Sequence, residues 1–371
     1  MKIGFLIVNR ANWARSKTIA MALVDMGVEV KIYSASSMNL EKFGTPVLDI
    51  EAEQAYEVTR IMSNVEGSTL ETQALSTGIL VQLLTLSLSS DKITALVVVA
   101  DRYEVIAGAI ASSYLNIPLI HIQGGEISGN IDNKVRFAVS AFADLHFPCS
   151  EQALSRLKNS AVAGDIINYG CPAMDLATSS VECAYEPILT ATPHVGKTIT
   201  DREQYCLVTL HPDTERYEKQ RDDALTFFEA INDISLKSYC AVIWPNVDGG
   251  ADSISKVIRG MRESGKLQNC GFYKNINADD YPTIVKNATI CLGNSSSFLR
   301  EAAHFGTPSI IVGTRQNNRD NYGNAYFLEF QKNEIVQAYD RYSGVRQSAN
   351  NSFGSGNAGK LIAQEIVNHF S

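Results

Sequence analysis

Residues 95–126 read "ALVVVADRYEVIAGAIASSYLNIPLIHIQGGE", and the fold turns on how they are read. Two runs, "ALVVVA" (95–100) and "IPLIHI" (117–122), are apolar at consecutive positions and flank a stretch of helical period. Unbroken apolar runs suit strands buried on both faces, as in a parallel sheet covered by helices. Upstream, "IGFLIV" (3–8) and "VEVKIYS" (28–34) bracket residues 13–26, where Ile19, Ala20, Leu23, Val24 and Met26 fall on one helical face. Downstream, "YCLVTL" (205–210), "CAVIWP" (240–245), "ATICLG" (288–293) and "PSIIVG" (308–313) repeat the theme. Helical stretches at 217–232, 251–264, 279–286 and 298–305 lie between and after them.

Between the halves, residues 176–200 lose periodicity and hold two prolines, which reads as a connection. The expected architecture is α/β: two doubly wound, Rossmann-like domains facing a cleft. The first spans 1–175 and the second 176–349. A low-complexity stretch, "SANNSFGSGNAG" (348–359), leads to a final helix at 360–370.

At 371 residues the chain is too long for one ordinary core, so two domains of roughly 150–200 residues are expected. Hydrophobic content of 45% with 19% charged residues argues against disorder. A net charge of −8 repels phosphate backbones and anionic lipid, which disfavours nucleic acid and membrane surfaces as partners. The opening "MKIGFLIVNR" reads as a strand rather than a signal peptide. The most apolar helix, "GILVQLLTLSL" (78–88), is well short of the roughly 20 residues that span a bilayer. The seven cysteines are scattered without CxxC spacing, as expected for reduced thiols in a cytoplasmic protein.

In open α/β sheets ligands collect at the carboxyl ends of strands, so the strand ends are the candidates. "GNSSSFLRE" (293–301) offers Gly293 for a sharp exit, Asn294, and then Ser295 and Ser296 opening a helix that would accept an anion. An ordinary serine N-cap fits the same residues. Glu301 could reach vicinal hydroxyls of a ribose, or face solvent. Arg10, ending the first strand, and Arg315 could clamp a diphosphate across the cleft, with Arg319 a weaker candidate. His211, directly after "LVTL", could be protonated beside a diphosphate and assist its departure, or simply cap the strand. Asn246 falls in the strand end "PNVDGG" (245–250). Asp101, Glu126 and Asp132 would converge on one crevice of the first domain, and crowding should raise at least one of their pKa values. Helix-cap and turn roles are the plain alternatives. Neither HExxH nor paired Cys/His spacing appears, so no metal is expected.

Taken in order, "HIQGGEISGNIDNKVRFAVSAFADLHFPCSE", "YGCPAMD", "LVTLHPDTE", "PNVDGG" and "GNSSSFLREAAHFGTPSIIVGTRQNNR" resemble the hydrolysing UDP-N-acetylglucosamine 2-epimerases, most of all the branch feeding sialic and nonulosonic acid synthesis. The resemblance runs from Arg10 to about residue 320. It implies the GT-B-type fold, with the C-terminal helix crossing back so that 350–371 completes the first domain. It also implies a homodimer and a UDP-sugar substrate, with no cofactor. The implied reaction removes the C2 proton as UDP leaves C1, giving a 2-acetamidoglucal to which water adds. By resemblance Asp101, Glu126 and Asp132 stand at acid/base positions. Arg10, His211, Ser295, Ser296 and Arg315 stand near the diphosphate, and Glu301 at the ribose.

Departures are concentrated after the first strand. "NRANWAR" (9–15) replaces the family's "SRAEYG", so Asn12 stands for a carboxylate, Trp13 for a tyrosine and Ala14 for a glycine. Asn133 stands where a second acid is usual. An apolar wall at Trp13 would suit a 6-deoxy sugar such as UDP-N,N′-diacetylbacillosamine. A GT-B glycosyltransferase is the rival enzyme, although three converging carboxylates exceed its need for one base. A non-catalytic nucleotide-sugar sensor is the rival of another class.

Overall fold

The computed structural model describes residues 1–128, 131–182, 204–246, 248–274 and 276–371. The first sheet is built from β1 (Lys2–Ile7), β2 (Glu29–Ser34), β3 (Glu57–Arg60), β4 (Ala95–Val99), β5 (Leu119–Ile122), β6 (Leu145–Phe147) and β7 (Asp165–Ile166). The second comprises β8 (Tyr205–Thr209), β9 (Tyr239–Ile243), β10 (Cys270–Tyr273), β11 (Ile290–Gly293), β12 (Ser309–Val312) and β13 (Ala325–Leu328). Strand order is β3-β2-β1-β4-β5-β6-β7 in one and β10-β9-β8-β11-β12-β13 in the other. All pairings are parallel. This is the expected pair of Rossmann-like sheets.

In each sheet the order reverses once, between β1 and β4 and between β8 and β11. A crevice opens at such a reversal, outside the carboxyl ends of the strands. Asn9, Arg10 and Asp101 therefore collect at one switch point, and His211, Asn294 and Ser295 at the other.

Helices of the first half are α1 (Arg10–Asp25), α2 (Val47–Ala52), α3 (Leu70–Asp91), α4 (Val105–Tyr114), α5 (Asp132–Phe142), α6 (Glu151–Lys158) and α7 (Ala173–Glu182). The second half carries α8 (Gln220–Ser235), α9 (Ala251–Glu263), α10 (Tyr281–Asn287), α11 (Glu301–Phe305), α12 (Lys332–Tyr342) and α13 (Ala358–Phe370). One core lies between the first sheet and α1 with α13, another between its opposite face and α3 with α4. The second sheet is covered on both faces in the same way.

The final helix does return to the first sheet, where α13 lies along α1. Gly359 permits the approach, since a Cβ there would meet Thr18 Oγ1 at 2.3 Å. The Asp175 carboxylate on α7 accepts from the amides of Ala358 at 3.0 Å and Gly359 at 2.7 Å, capping α13 from outside.

Several expectations are corrected. Residues 176–182 are the end of α7, so the connection starts later than its composition suggested; its remainder through 203, with Cys183, lies outside the described residues. Arg10 is the first residue of α1 rather than a strand end, because Asn9 caps the helix by accepting from Asn12 N at 2.8 Å. The serine segment opens only a three-residue 3-10 turn, Ser296–Phe298, with the five-residue α11 after it. The other six cysteines are buried and unbridged. No helix among the described residues is long and apolar enough to cross a membrane.

Candidate active site

The two sheets present their switch points to each other across a cavity of about 120 Å³. Arg10, Arg15 and Ser37 line it from the first sheet. From the second come His211, Asn246, Tyr281, Ser295–Ser297 and Glu301. Gly293 ends β11 at φ +139, a conformation open to glycine, and the chain turns sharply into Asn294. Asn294 then grips β8: its Oδ1 accepts from His211 N at 2.7 Å and its Nδ2 donates to His211 O at 2.8 Å. Ser295 and Ser297 share a hydroxyl contact of 2.9 Å, and Tyr281 joins Ser297 from α10. Arg10 donates to the carbonyl of Lys274 across the seam. Its pKa is lowered to about 10 by burial, against the opposing pull of Tyr281 and Asp49.

His211 departs from expectation. Burial, with Arg315, Arg10 and Arg102 close by, holds its imidazole well below the ordinary value. Its Nδ1 accepts from Asn246 N at 3.3 Å, so the ring is neutral, with the proton on Nε2. Glu301 departs from the surface reading: it is 4% exposed and its Oε2 has no hydrogen-bond partner. A buried carboxylate oxygen without a donor costs free energy unless a ligand supplies one.

The carboxylates of the first sheet do meet at the seam, but each is held by guanidinium. Asp101, after β4, forms an ion pair with Arg136 on α5 and accepts from Arg319 at 3.3 Å. Glu126, after β5, accepts from Arg300, from Arg319 at 2.9 Å and from Gln123 at 3.2 Å. Asp132, opening α5, lies 3.7 Å from Arg315. Burial alone would raise the Glu126 pKa; Arg300 and Arg319 overcome it, and the carboxyl sits below its usual range. The expected upward shift from crowded acids is therefore not found at Glu126, because cations were interleaved. Burial and the neighbouring Arg319, Arg300, Arg315 and Arg15 push Arg136 well below its usual value. Four guanidiniums, those of Arg136, Arg300, Arg315 and Arg319, thus meet three carboxylates, with Arg15 close to Arg136.

Arg15, Arg136 and Arg300 were not singled out by sequence reasoning, and Arg319 was ranked low. Spacing held a partial signal: Arg136 follows Asp132 by four residues on one helix, and Arg319 follows Arg315 by four. Nothing local marked Arg300, whose partner is 174 residues away.

The departures after β1 have structural explanations. Asn12 accepts from Val8 N at 3.3 Å and donates to Val99 O at 3.2 Å, tying β1 to β4 in a way no carboxylate could. Trp13 does not line the cavity that holds Ser295–Ser297 and Glu301. It is 4% exposed, packs edge-on to Tyr56 at 5.6 Å, and borders an adjoining hollow that shares Arg10, Pro46 and residues 276–278 with that cavity. Asn133 accepts from Ser128 N at 3.3 Å. Among the described residues no three His, Cys, Asp or Glu side chains are placed to share a metal ion.

Known proteins resemble the chain over most of its length. A UDP-N-acetylglucosamine 2-epimerase from Neisseria meningitidis serogroup B is 28% identical over 275 residues, covering 72% of this chain and 69% of the relative. A UDP-N,N'-diacetylbacillosamine 2-epimerase (hydrolyzing) from Legionella pneumophila is also 28% identical, over 251 residues. That match covers 67% of this chain and 62% of the relative, less than two thirds of its length. In fold, the chain superposes on Methanocaldococcus jannaschii UDP-GlcNAc 2-epimerase, in complex with UDP-GlcNAc and UDP, with a TM-score of 0.76. Identity there is 17%, covering 99% of this chain and 100% of the other. The sequence model of one family matches residues 28–367, and the chain belongs to that family, the UDP-N-acetylglucosamine 2-epimerases.

Proposed function

We propose that the chain is a hydrolysing 2-epimerase that converts UDP-N-acetylglucosamine to N-acetylmannosamine and UDP. One observation carries the reading: Arg315 lies 3.7 Å from Asp132 of the first sheet and donates to Asn294 O of the second at 3.3 Å. A single guanidinium thus joins the acidic side of the cleft to the serine-lined turn. A diphosphate on that turn would bring C1 and C2 of its sugar toward the carboxylates.

In this mechanism the arginines that line the cavity and the serine hydroxyls receive the diphosphate, and Glu301 accepts from ribose hydroxyls. C2–H beside an acetamido-bearing carbon is a weak acid, so its loss is coupled to cleavage of the C1–O bond. One carboxylate takes the C2 proton, and the C1–O electron pair leaves with UDP. Ionised carboxylates stabilise positive charge developing at C1. Water then adds across the glycal, its hydroxyl to C1 and a proton to C2 from the opposite face. His211 is neutral among its neighbouring arginines; two phosphate charges beside it would raise its pKa and let it donate to the departing UDP.

Incubation with UDP-N-acetylglucosamine in deuterated water tests the reading. Free UDP and N-acetylmannosamine deuterated at C2 are expected. Released N-acetylglucosamine without deuterium would replace epimerisation by simple hydrolysis. Release of UDP from UDP-N,N′-diacetylbacillosamine alone would support the second reading, that of the Legionella relative, which is as identical to this chain as the Neisseria one.

Glu301 yields a prediction in which binding and stability oppose each other. Glu301→Gln removes a buried charge whose Oε2 is unpaired in the empty protein, so Tm should stay level or rise. UDP affinity should fall about 10–100-fold, for loss of a charged hydrogen bond worth about 1.5–3 kcal/mol. Calorimetric titration and thermal unfolding check both signs.

A further inference from the structure

Arg300 is the last residue before α11, three positions after Ser297, and is 2% exposed. Its guanidinium leaves the second sheet altogether. One arm donates to Glu126 Oε2 and the other to Cys171 Sγ at 3.8 Å, while the plane lies 4.9 Å from the centre of the Phe353 ring. Three elements distant in sequence therefore fix its orientation: the end of β5, the approach to α7, and the segment returning to α13. Glu126 has its Oε2 engaged by two arginines of the second sheet, whereas its buried Oε1 has no partner.

We propose that Arg300 is a positioning residue for the epimerase site: it couples the serine-lined turn on one sheet to Glu126 on the other, holding that carboxylate ionised with one oxygen free for the sugar. The inference rests on the reading of this cleft as a UDP-sugar site. Glu126 owes both its counter-ions to the opposite sheet, so its charge depends on the sheets being together. When they part, Glu126 keeps its surroundings in the first sheet and loses Arg300 and Arg319, which favours the neutral acid. The carboxylate is thereby armed only when the turn that receives the diphosphate is in place.

Other groups facing Glu126 cannot substitute for Arg300. Arg136 donates to its backbone carbonyl at 2.7 Å and is engaged by Asp101, and Arg156 donates to Gly125 O and to Asp320 Oδ1, each at 3.4 Å. His121 is buried, which lowers it to about 4, so it is neutral. Cys149, Cys171, Tyr322 and Asp320 add no cation. Cys171 is lowered to about 7 by the hydrogen bond from Cys149, with burial opposing and Arg300 helping.

Arg300→Met keeps the length and loses the charge; Arg300→Lys keeps the charge and loses the fork. The acidic limb of the kcat/KM profile should move up by about one pH unit or more in the Met variant, and less in the Lys variant. kcat should fall about 10–100-fold with UDP affinity within about 3-fold of wild type. A second measurement needs no turnover. A carboxyl held below its unfolded value adds stability above about pH 4.3 that is lost as pH falls through the lower folded value. The Tm gap between wild type and the Met variant should therefore be wide at pH 7 and close in acid, and lose this pH dependence in a Glu126→Gln background. If the Met variant does not fold, the Lys variant is read against wild type in both series. A stationary acidic limb, or a gap that is flat with pH or survives in Glu126→Gln, overturns the proposal. If wild type turns over no UDP-sugar, the functional reading fails and the unfolding series alone decides the Arg300–Glu126 contact.

Discussion

Asp101→Asn should reduce UDP-sugar turnover by about 10²–10⁴-fold, the range for loss of a general base, while leaving UDP affinity near that of wild type. The substitution changes one oxygen to an amide in a residue 9% exposed at the switch point of the first sheet. Arg319 donates to Asp101 Oδ2 and Arg136 forms an ion pair with the same oxygen; an amide oxygen can take that place, but the negative charge that balances the two guanidiniums is gone. On the proposed reading a proton acceptor is then lost along with the local charge balance. Affinity for UDP should survive because Asp101 is not among the residues that line the cavity with Ser295, Tyr281 and Glu301. Breaking a buried ion pair is itself destabilising by about 3–5 kcal/mol, so thermal unfolding must accompany the kinetics. A folded variant that binds UDP and turns over at a near-normal rate would remove Asp101 from the chemistry.

The sequence disclosed positions better than partners. Strands with four or more consecutive apolar residues, such as Ala95–Val99, were readable because burial on both faces leaves that mark. The strands that escaped notice are short or lie toward the sheet margins. Glu57–Arg60 is half-polar, Leu145–Phe147 has three residues and Asp165–Ile166 two. The strand-end rule then located Asp101, Glu126, His211 and Ser295 at the two switch points without coordinates. It could not show what faces them. Arg319 and Asp101 are 218 residues apart, and Arg300 and Glu126 174 apart; contacts made across two lobes impose no periodicity on either segment. A cluster of acids thus read as mutual repulsion when it is a lattice of alternating charge. The direction of Trp13 was hidden for a related reason: a helix's first turn offers several faces, and packing against Tyr56 decides which one the aromatic takes.

Gly293→Ala should cost the fold as much as breaking a buried ion pair in the cleft. At φ +139 a side chain is strained whatever the space, and here there is none: a Cβ would lie 1.8 Å from the carbonyl oxygen of Thr209. That oxygen cannot yield. Gly293 pairs with Thr209 in the ladder of β11 on β8, and Asn294 N donates to Thr209 O at 3.0 Å. Relief requires either opening this central pairing or withdrawing the whole turn that carries Asn294, Ser295 and Arg300. A loss of about 3–5 kcal/mol is expected, at the upper end for single substitutions, with a Tm fall of about 10 °C or more. Gly27→Ala is the control. Its φ is also positive, at +78, but no atom lies within 4 Å of the added carbon, so it reports the cost of backbone strain alone, about 1–2 kcal/mol. The difference between the two isolates the collision with Thr209. Any folded fraction of Gly293→Ala should bind UDP at least about 100-fold more weakly, since displacing the turn moves the serine hydroxyls and releases the Asn294 grip on His211. A variant that unfolds no earlier than Gly27→Ala and binds UDP normally would show that the turn has room this geometry denies it.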